Sequence, residues 1–156
     1  MLHRRLKALL ETQGNPSAVL QEALETIADG FEAKTATLHR VKAGTEDTLE
    51  LVASRGIPET IRPATRLIPF GKGMAGLCAE RRAPVTVCNL QTDSSGVARP
   101  AAKETGVAGA IVVPIFSPHG EGLIGTLGVG KAGEHEYTDA EQESLLACTK
   151  ALSQAL

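Results

Sequence analysis

The spacing of apolar residues changes character along the chain, and each change marks an element. Leu2, Leu6, Leu9 and Leu10 recur at helical spacing and predict a short amphipathic helix ending before Gly14. Asn15-Pro16 reads as an N-cap followed by proline at the first helical position. Val19, Leu20, Ala23, Leu24, Ile27, Ala28 and Phe31 form the stripe of a second helix that stops near Gly30. From Thr35 the period drops to two. Thr35–Val41 and Thr48–Ser54, the latter with Leu49, Leu51 and Ala53 on one buried face, predict an antiparallel hairpin across the turn 42–47. Arg55-Gly56-Ile57-Pro58 breaks it, and residues 57–64 have room for a turn of helix before an edge-type strand ending at Phe70.

A short helix then runs from Met74 to about Arg82, where Ala83-Pro84 stops it, and a strand follows to Asn89. Residues 91–98 are polar and turn-rich, and 99–106 predict another short helix. Ala108–Phe116 and Leu123–Lys131 are two clear strands. Thr138 with Glu141 three residues later is a capping box, opening a last helix that carries Leu145, Leu146, Cys148, Thr149, Leu152 and Leu156. Helices at both ends and strands between them predict an α+β domain, an antiparallel sheet with helices on one face. No repeat or linker divides the 156 residues, so one domain is expected over 1–156.

Composition narrows the function. Aromatic residues are 3% of the chain and tryptophan is absent, which leaves few stacking platforms. The net charge is −2 with no cluster larger than Arg81-Arg82, which argues against nucleic acid as a partner. No apolar run approaches the roughly 20 residues of a membrane span, and the N-terminus lacks a signal peptide's apolar region. Cys78, Cys88 and Cys148 are odd in number and widely spaced, which fits reduced thiols in a cytoplasmic protein. Each reads first as a small buried hydrophobe, with a reactive role for Cys78 or Cys88 as the alternative. No cysteine and histidine stand at metal-ligand spacing. His39 and His119 read as surface residues of a hairpin and a turn, and Glu134-His135-Glu136 as a solvated loop.

Gly71-Lys72-Gly73-Met74-Ala75-Gly76 matches G-x-G-x-x-G, with Asp93 about 20 residues on, the outline of a dinucleotide fingerprint. Its surroundings do not fit. Pro69 removes a ladder donor from the preceding run, and Leu67 to Leu90 is shorter than the roughly 30 residues of a strand-helix-strand crossover. The glycines read instead as geometry. Gly71 and Gly73 supply positive φ at a turn into a short helix, and Gly76 lets that helix lie close to the sheet. The helix N-terminus at Gly73, Met74 and Ala75 keeps a lesser reading as an anion site.

The element order resembles a GAF domain over roughly Pro16 to Leu156. The segments that carry the likeness are Leu49 to Gly56, Gly71 to Gly76, Ala83 to Val87, Val107 to Ile115 and Gly122 to Val129, in this order and followed by the capped helix. The resemblance implies a sheet of about six antiparallel strands. Terminal helices cover one face, and short helices and loops enclose a ligand pocket on the other. It also implies a small-molecule sensor of bacterial signalling, often dimeric through its terminal helices. On the last strand, Leu123, Gly125, Leu127 and Val129 are expected to face the terminal helices, and Ile124, Thr126, Gly128 and Gly130 the pocket. Ala108, Ala110 and Val112 on the neighbouring strand join Thr126 and Gly128, with Phe70, Met74, Cys78, Val87 and Asn89 on the opposite wall. The alternative, that these side chains simply fill the space, stays open.

Among the family's enzymes, free methionine-R-sulfoxide reductases resemble the chain most. Their motif cysteine corresponds to Ala75, their acidic residue before the I-V-V-P run to Ala110, and their acidic pair on the last strand to Gly128 and Gly130; their resolving cysteine has no counterpart in 98–104. The bilin-binding pattern fails because neither Cys78 nor Cys88 has a histidine beside it, and the cyclic-nucleotide signature is absent. The expected function is therefore a non-catalytic sensor with an unknown small-molecule ligand and no named cofactor. The expected output partner is separate or fused. The alternatives are a thiol-redox enzyme and a ligand-free dimerisation scaffold. The leucines of residues 1–14 exceed what docking of one helix needs, so this segment is expected to be a homodimerisation arm.

Overall fold

The computed structural model describes residues 2–12, 14–97, 100–120 and 122–156. The chain runs α1 (Leu2–Leu10), α2 (Pro16–Gly30), β1 (Thr35–Val41), β2 (Thr48–Arg55), α3 (Arg62–Arg66), β3 (Leu67–Pro69), α4 (Gly73–Arg81), β4 (Val85–Val87), α5 (Pro100–Lys103), β5 (Gly109–Phe116), β6 (Leu123–Lys131) and α6 (Asp139–Ser153). The strands form one sheet in the order β3-β2-β1-β6-β5-β4, and every pair among the described residues is antiparallel. A crossover fold of parallel strands is thereby excluded. Pro69 sits in β3, an edge strand, where its missing N–H costs no ladder bond.

The helices start where their caps predict. Asn15 Oδ1 accepts the Ser17 N–H at 2.9 Å, with Pro16 in the first turn of α2. Thr138 Oγ1 accepts the Glu141 N–H at 3.1 Å, and Glu141 accepts the Thr138 N–H at 3.0 Å. That N–H holds the Glu141 carboxyl below its ordinary 4.5, with burial acting against it and the His135 ring, 2.9 Å away, adding to it. A depressed folded value means the box stabilises above about pH 4.5 and weakens as pH falls through the lowered value. Thr138→Ala is expected to cost about 1 kcal/mol. Glu141→Gln is expected to flatten the acid side of the urea-midpoint against pH curve, and an unchanged slope would refute the assignment.

α1, α2 and α6 pack on one face. The core between them and the sheet contains Leu6, Leu24, Ile27, Leu38, Ile111, Val113, Ile115, Leu127, Leu145 and Leu152. Leu6 is fully buried, and Leu2, Leu9 and Leu10 pack partly buried against the same core. Leu6 of the stripe that suggested a dimerisation arm is thus taken up within the chain, and Leu2, Leu9 and Leu10 are partly so. Leu67, at 44%, is the only large hydrophobic side chain exposed among the described residues. Beside this core, the side-chain amide of Gln21 on α2 lies along the free edge of β2. It donates to the Ser54 carbonyl at 2.8 Å and accepts the Ser54 N–H at 3.3 Å.

Two bulges overturn the simple alternation. Leu38 pairs with Ala53 but His39 pairs with Leu51, so Val52 is an extra residue. Ala53 therefore joins the main core, whereas Leu49 faces the other way with Ile68 and Ala79. Ile115 pairs with Gly125 but Phe116 with Leu123, so Ile124 is extra. Ile124 packs against the main core and Leu123 against the Leu49 group, the reverse of the expectation from strict period two. Elsewhere the helix expected over 57–64 lies at Arg62–Arg66, where Pro63 falls in the first turn and needs no N–H partner.

Candidate functional site

The face opposite the terminal helices is covered by α3, α4 and α5, and between them and the sheet lies a cavity of about 140 Å³. Thr35, Thr37 and His39 of β1, Ala110 and Val112 of β5, and Gly128 and Gly130 of β6 form its floor. Ile57, Thr65, Ile68, Met74, Leu90, Thr105 and Val107 contribute to the walls. Lys72, Gly73, Met74 and Ala75 bring the N-terminal end of α4 to the cavity. No side chain caps this end, and the first-turn amides have no intrahelical acceptor. The glycine motif produces this arrangement. Gly71 and Gly73 have φ of 85° and 65°, and a Cβ on Gly76 would collide with the carbonyl oxygen of Pro69. Gly128 and Gly130 do not leave empty space beneath them. A Cβ on Gly128 would meet Thr37 Oγ1 at 3.0 Å, and one on Gly130 would meet Thr35 Oγ1 at 2.7 Å, so the threonines have moved into the room the glycines free.

Of the residues proposed from sequence to line the site, Met74, Ala110, Val112 and Gly128 meet on this cavity. Phe70 packs half-buried beside Leu49, Ile68 and Ala79. Cys78 and Val87 do not line the cavity themselves but pack in one cluster with Met74, Leu90, Ala110 and Val112, which do. Burial pushes the Cys78 thiol up to about 12, which leaves it protonated and unreactive at neutral pH. Cys148 is raised to about 11 for the same reason, and all three cysteines are unpaired. Asn89 is half-buried outside the cavity, where its Oδ1 accepts the Gln91 N–H at 3.0 Å and its Nδ2 donates to Glu134. Ala108 is buried just before β5, donating its N–H to Lys131 and accepting from Leu90. Thr126 is buried across the ladder from His39 and is not among the residues that line the cavity.

His39 is the main correction to the sequence reading. It is 2% exposed, not a surface residue, while His119 is exposed in its turn. Strand parity carried the signal: Ala36 and Leu38 face the terminal helices, so Thr35, Thr37 and His39 must face the other side. His39 Nε2 lies 2.8 Å from the Thr65 carbonyl, which can only accept, so Nε2 bears the proton and Nδ1 is a bare acceptor. Burial lowers the His39 pKa, against the smaller opposing effect of the Thr65 bond, so the ring is neutral. His135 also differs from expectation. It is half-buried, hydrogen-bonded to Glu141 and edge-on to Tyr137, with ring centres 4.6 Å apart. No group of three His, Cys, Asp or Glu side chains among the described residues could hold a metal ion. No helix among them is long and apolar enough to cross a membrane.

A family model described as the GAF domain matches residues 13–156. The chain belongs to the GAF domain family. No curated protein matches it. Among solved structures, this GAF domain is similar to the GAF domain of a phosphoenolpyruvate-protein phosphotransferase from Coxiella burnetii, with 18% identity over 99% of this chain and 89% of that one and a TM-score of 0.82. It is also similar to a free methionine-R-sulfoxide reductase from Neisseria meningitidis solved in complex with its substrate, with 18% identity, coverage of 99% and 85%, and a TM-score of 0.81. The reduced fRMsr of Staphylococcus aureus is 23% identical, with coverage of 99% and 92% and a TM-score of 0.77. The neighbours of this GAF domain thus include signalling-type domains and enzymes, and at these identities they establish the fold alone. Ala75, Ala110, Gly128 and Gly130, the positions that the sequence resemblance sets against the reductases' cysteine and carboxylates, line the same cavity.

Proposed function

We propose that this GAF domain is a non-catalytic sensor that binds a small molecule in the cavity between the sheet and α3–α5. One observation carries the reading. The cavity has walls and room for a ligand, yet the four positions that would supply an enzymatic thiolate and carboxylates hold only alanine and glycine. Apolar walls with a few polar groups are the usual makeup of a binding pocket. Cys78, the thiol nearest this region in sequence, is buried outside the cavity lining. A ligand there would touch β1, β5 and β6, whose opposite face packs on α1, α2 and α6. Differential affinity for two packings of those helices would transmit occupancy to a separate or fused output partner. Three unpaired cysteines support a reducing, cytoplasmic setting.

Native mass spectrometry of the protein purified from cells tests the proposal. A retained small molecule is expected in the wild type. Ala110→Leu, which fills the cavity floor, is expected to abolish retention while leaving the circular dichroism spectrum intact. Equal retention by this variant would move the site elsewhere. Thiol-dependent turnover of a methionine sulfoxide that disappears in Cys78→Ser or Cys88→Ser would establish an enzyme instead.

A further inference from the structure

Two hydroxyls on the cavity floor have no partner among the described residues. Thr35 is 6% exposed, yet its Oγ1 makes no hydrogen bond there and is not one of the atoms sealed from a probe. It stands over Gly130, where a Cβ would lie 2.7 Å away, and Gly130 lines the cavity. The Thr35 hydroxyl is therefore open toward the cavity. Thr37, two residues on along β1 and half-buried, is likewise unpartnered, with its Oγ1 over Gly128 of the same lining. The other threonines of the lining differ. Thr65 Oγ1 donates to the Arg62 carbonyl at 2.8 Å, and Thr105 Oγ1 to the Ala102 carbonyl at 2.6 Å. A hydroxyl withdrawn from bulk water without a partner is costly, and native proteins keep few of them without a use.

The covering side supplies donors and a positive charge. The N–H groups of Gly73, Met74 and Ala75 find no acceptor among the described residues, and all three residues line the cavity together with Lys72. Lys72 directly precedes α4 and forms no ion pair among the described residues. No Asp or Glu among the described residues belongs to the lining, and Glu80, whose carboxylate stands over Gly71, lies outside it. With His39 neutral, Lys72 is the one formal charge that the described lining carries. An open helix start beside a lysine favours an anion. An ammonium would meet Lys72 and no carboxylate to balance it. A hydroxyl both donates and accepts, so Thr35 and Thr37 suit an uncharged oxygen. At about 140 Å³ the space is close to that of a protein cavity of about 150 Å³ known to take benzene.

We propose that the ligand is a small organic carboxylate with an uncharged second oxygen and no ammonium, a short hydroxy acid or oxo acid. Its carboxylate accepts from the amides that open α4 and from Lys72. Its hydroxyl or carbonyl oxygen meets Thr35 and Thr37 on the floor, and its short hydrocarbon part lies against Ile57, Ile68, Val107 and Val112. Inorganic phosphate fits less well, because it has nothing to set against those side chains. This rests on the cavity being the ligand site.

The test uses the wild-type chain and four probes of matched size: lactate, isobutyrate, lactamide and free alanine. Isobutyrate puts a methyl in place of the hydroxyl, lactamide removes the charge, and alanine exchanges the hydroxyl for an ammonium. Binding is read by calorimetry and located by the backbone amide resonances of Gly73, Met74 and Ala75. Lactate is expected to move those resonances and to bind about tenfold more tightly than lactamide or alanine, the scale of a charge-assisted hydrogen bond. Isobutyrate is expected to bind about threefold more weakly than lactate. Lys72→Met is expected to weaken lactate about tenfold and to leave lactamide unchanged, a charge-selective loss that a merely structural role would not give. Thr37→Val is expected to remove the preference for lactate over isobutyrate. Equal binding of lactate and lactamide overturns the proposal and leaves the ligand cavity standing, as does tighter binding of alanine or inorganic phosphate than of lactate. Lactate binding that leaves the three amide resonances unmoved overturns it as well. If no probe binds, the proposal falls, and the cavity reading is then decided separately by whether native mass spectrometry finds a retained molecule that Ala110→Leu displaces.

Discussion

Leu6→Ala is expected to destabilise the protein by about 2–5 kcal/mol, the cost of emptying a fully buried leucine site. Leu6 is wholly enclosed by the core that α1 shares with α2 and α6. The loss is expected as a lower urea midpoint that does not depend on protein concentration. This last condition separates the fold from a dimer, because a leucine buried between two copies would give a midpoint that rises with concentration. Detachment of α1 as a unit sets an upper limit to the effect. Deleting residues 2–12 should therefore cost at least as much as the single substitution. If Leu6→Ala leaves the midpoint where it was, α1 is not part of the folded core.

The second large effect is expected at Gly76→Ala. Alanine normally favours a helix over glycine by up to about 1 kcal/mol. Here the added methyl would drive into the Pro69 carbonyl oxygen and crowd the Gly71 nitrogen, both backbone atoms that cannot rotate aside. The Gly71 N–H also donates to the Gly76 carbonyl at 2.8 Å, so separating the segments breaks a bond as well. A net loss of about 1–3 kcal/mol is expected, together with weaker ligand retention, because Met74 and Ala75 of the same helix form part of the cavity wall. Gly133→Ala is the control, since a Cβ there meets nothing within 4 Å. Stabilisation by Gly76→Ala would mean that α4 does not sit against the β3–α4 turn.

Much of this architecture was legible because local signals agreed with one another. The Asn15-Pro16 start, the Thr138–Glu141 box and the period-two runs each named their element, and the turn glycines 71 and 73 announced their positive φ. What escaped was set by single-residue shifts and by tertiary contacts. A period-two reading cannot see the extra residues Val52 and Ile124, so it put Leu49 with Ala53 and Leu123 with Leu127 on faces they do not share. The site was only partly visible. Met74, Ala110, Val112 and Gly128 followed from strand parity and the glycine motif. Ile57, Thr65 and Thr105 come from short covering segments that have no periodicity of their own. His39 was recoverable from the parity of β1, but a lone histidine in a hairpin invites a surface assignment.

The two outermost strands, β3 and β4, are only three residues long, and one of them carries a proline. Where β3 ends, the Gln21 amide takes both hydrogen-bonding groups of Ser54, as an added strand would. Short edges, a proline and this side-chain cap each disfavour lateral pairing with another copy, which sets the sheet against growth beyond its six strands.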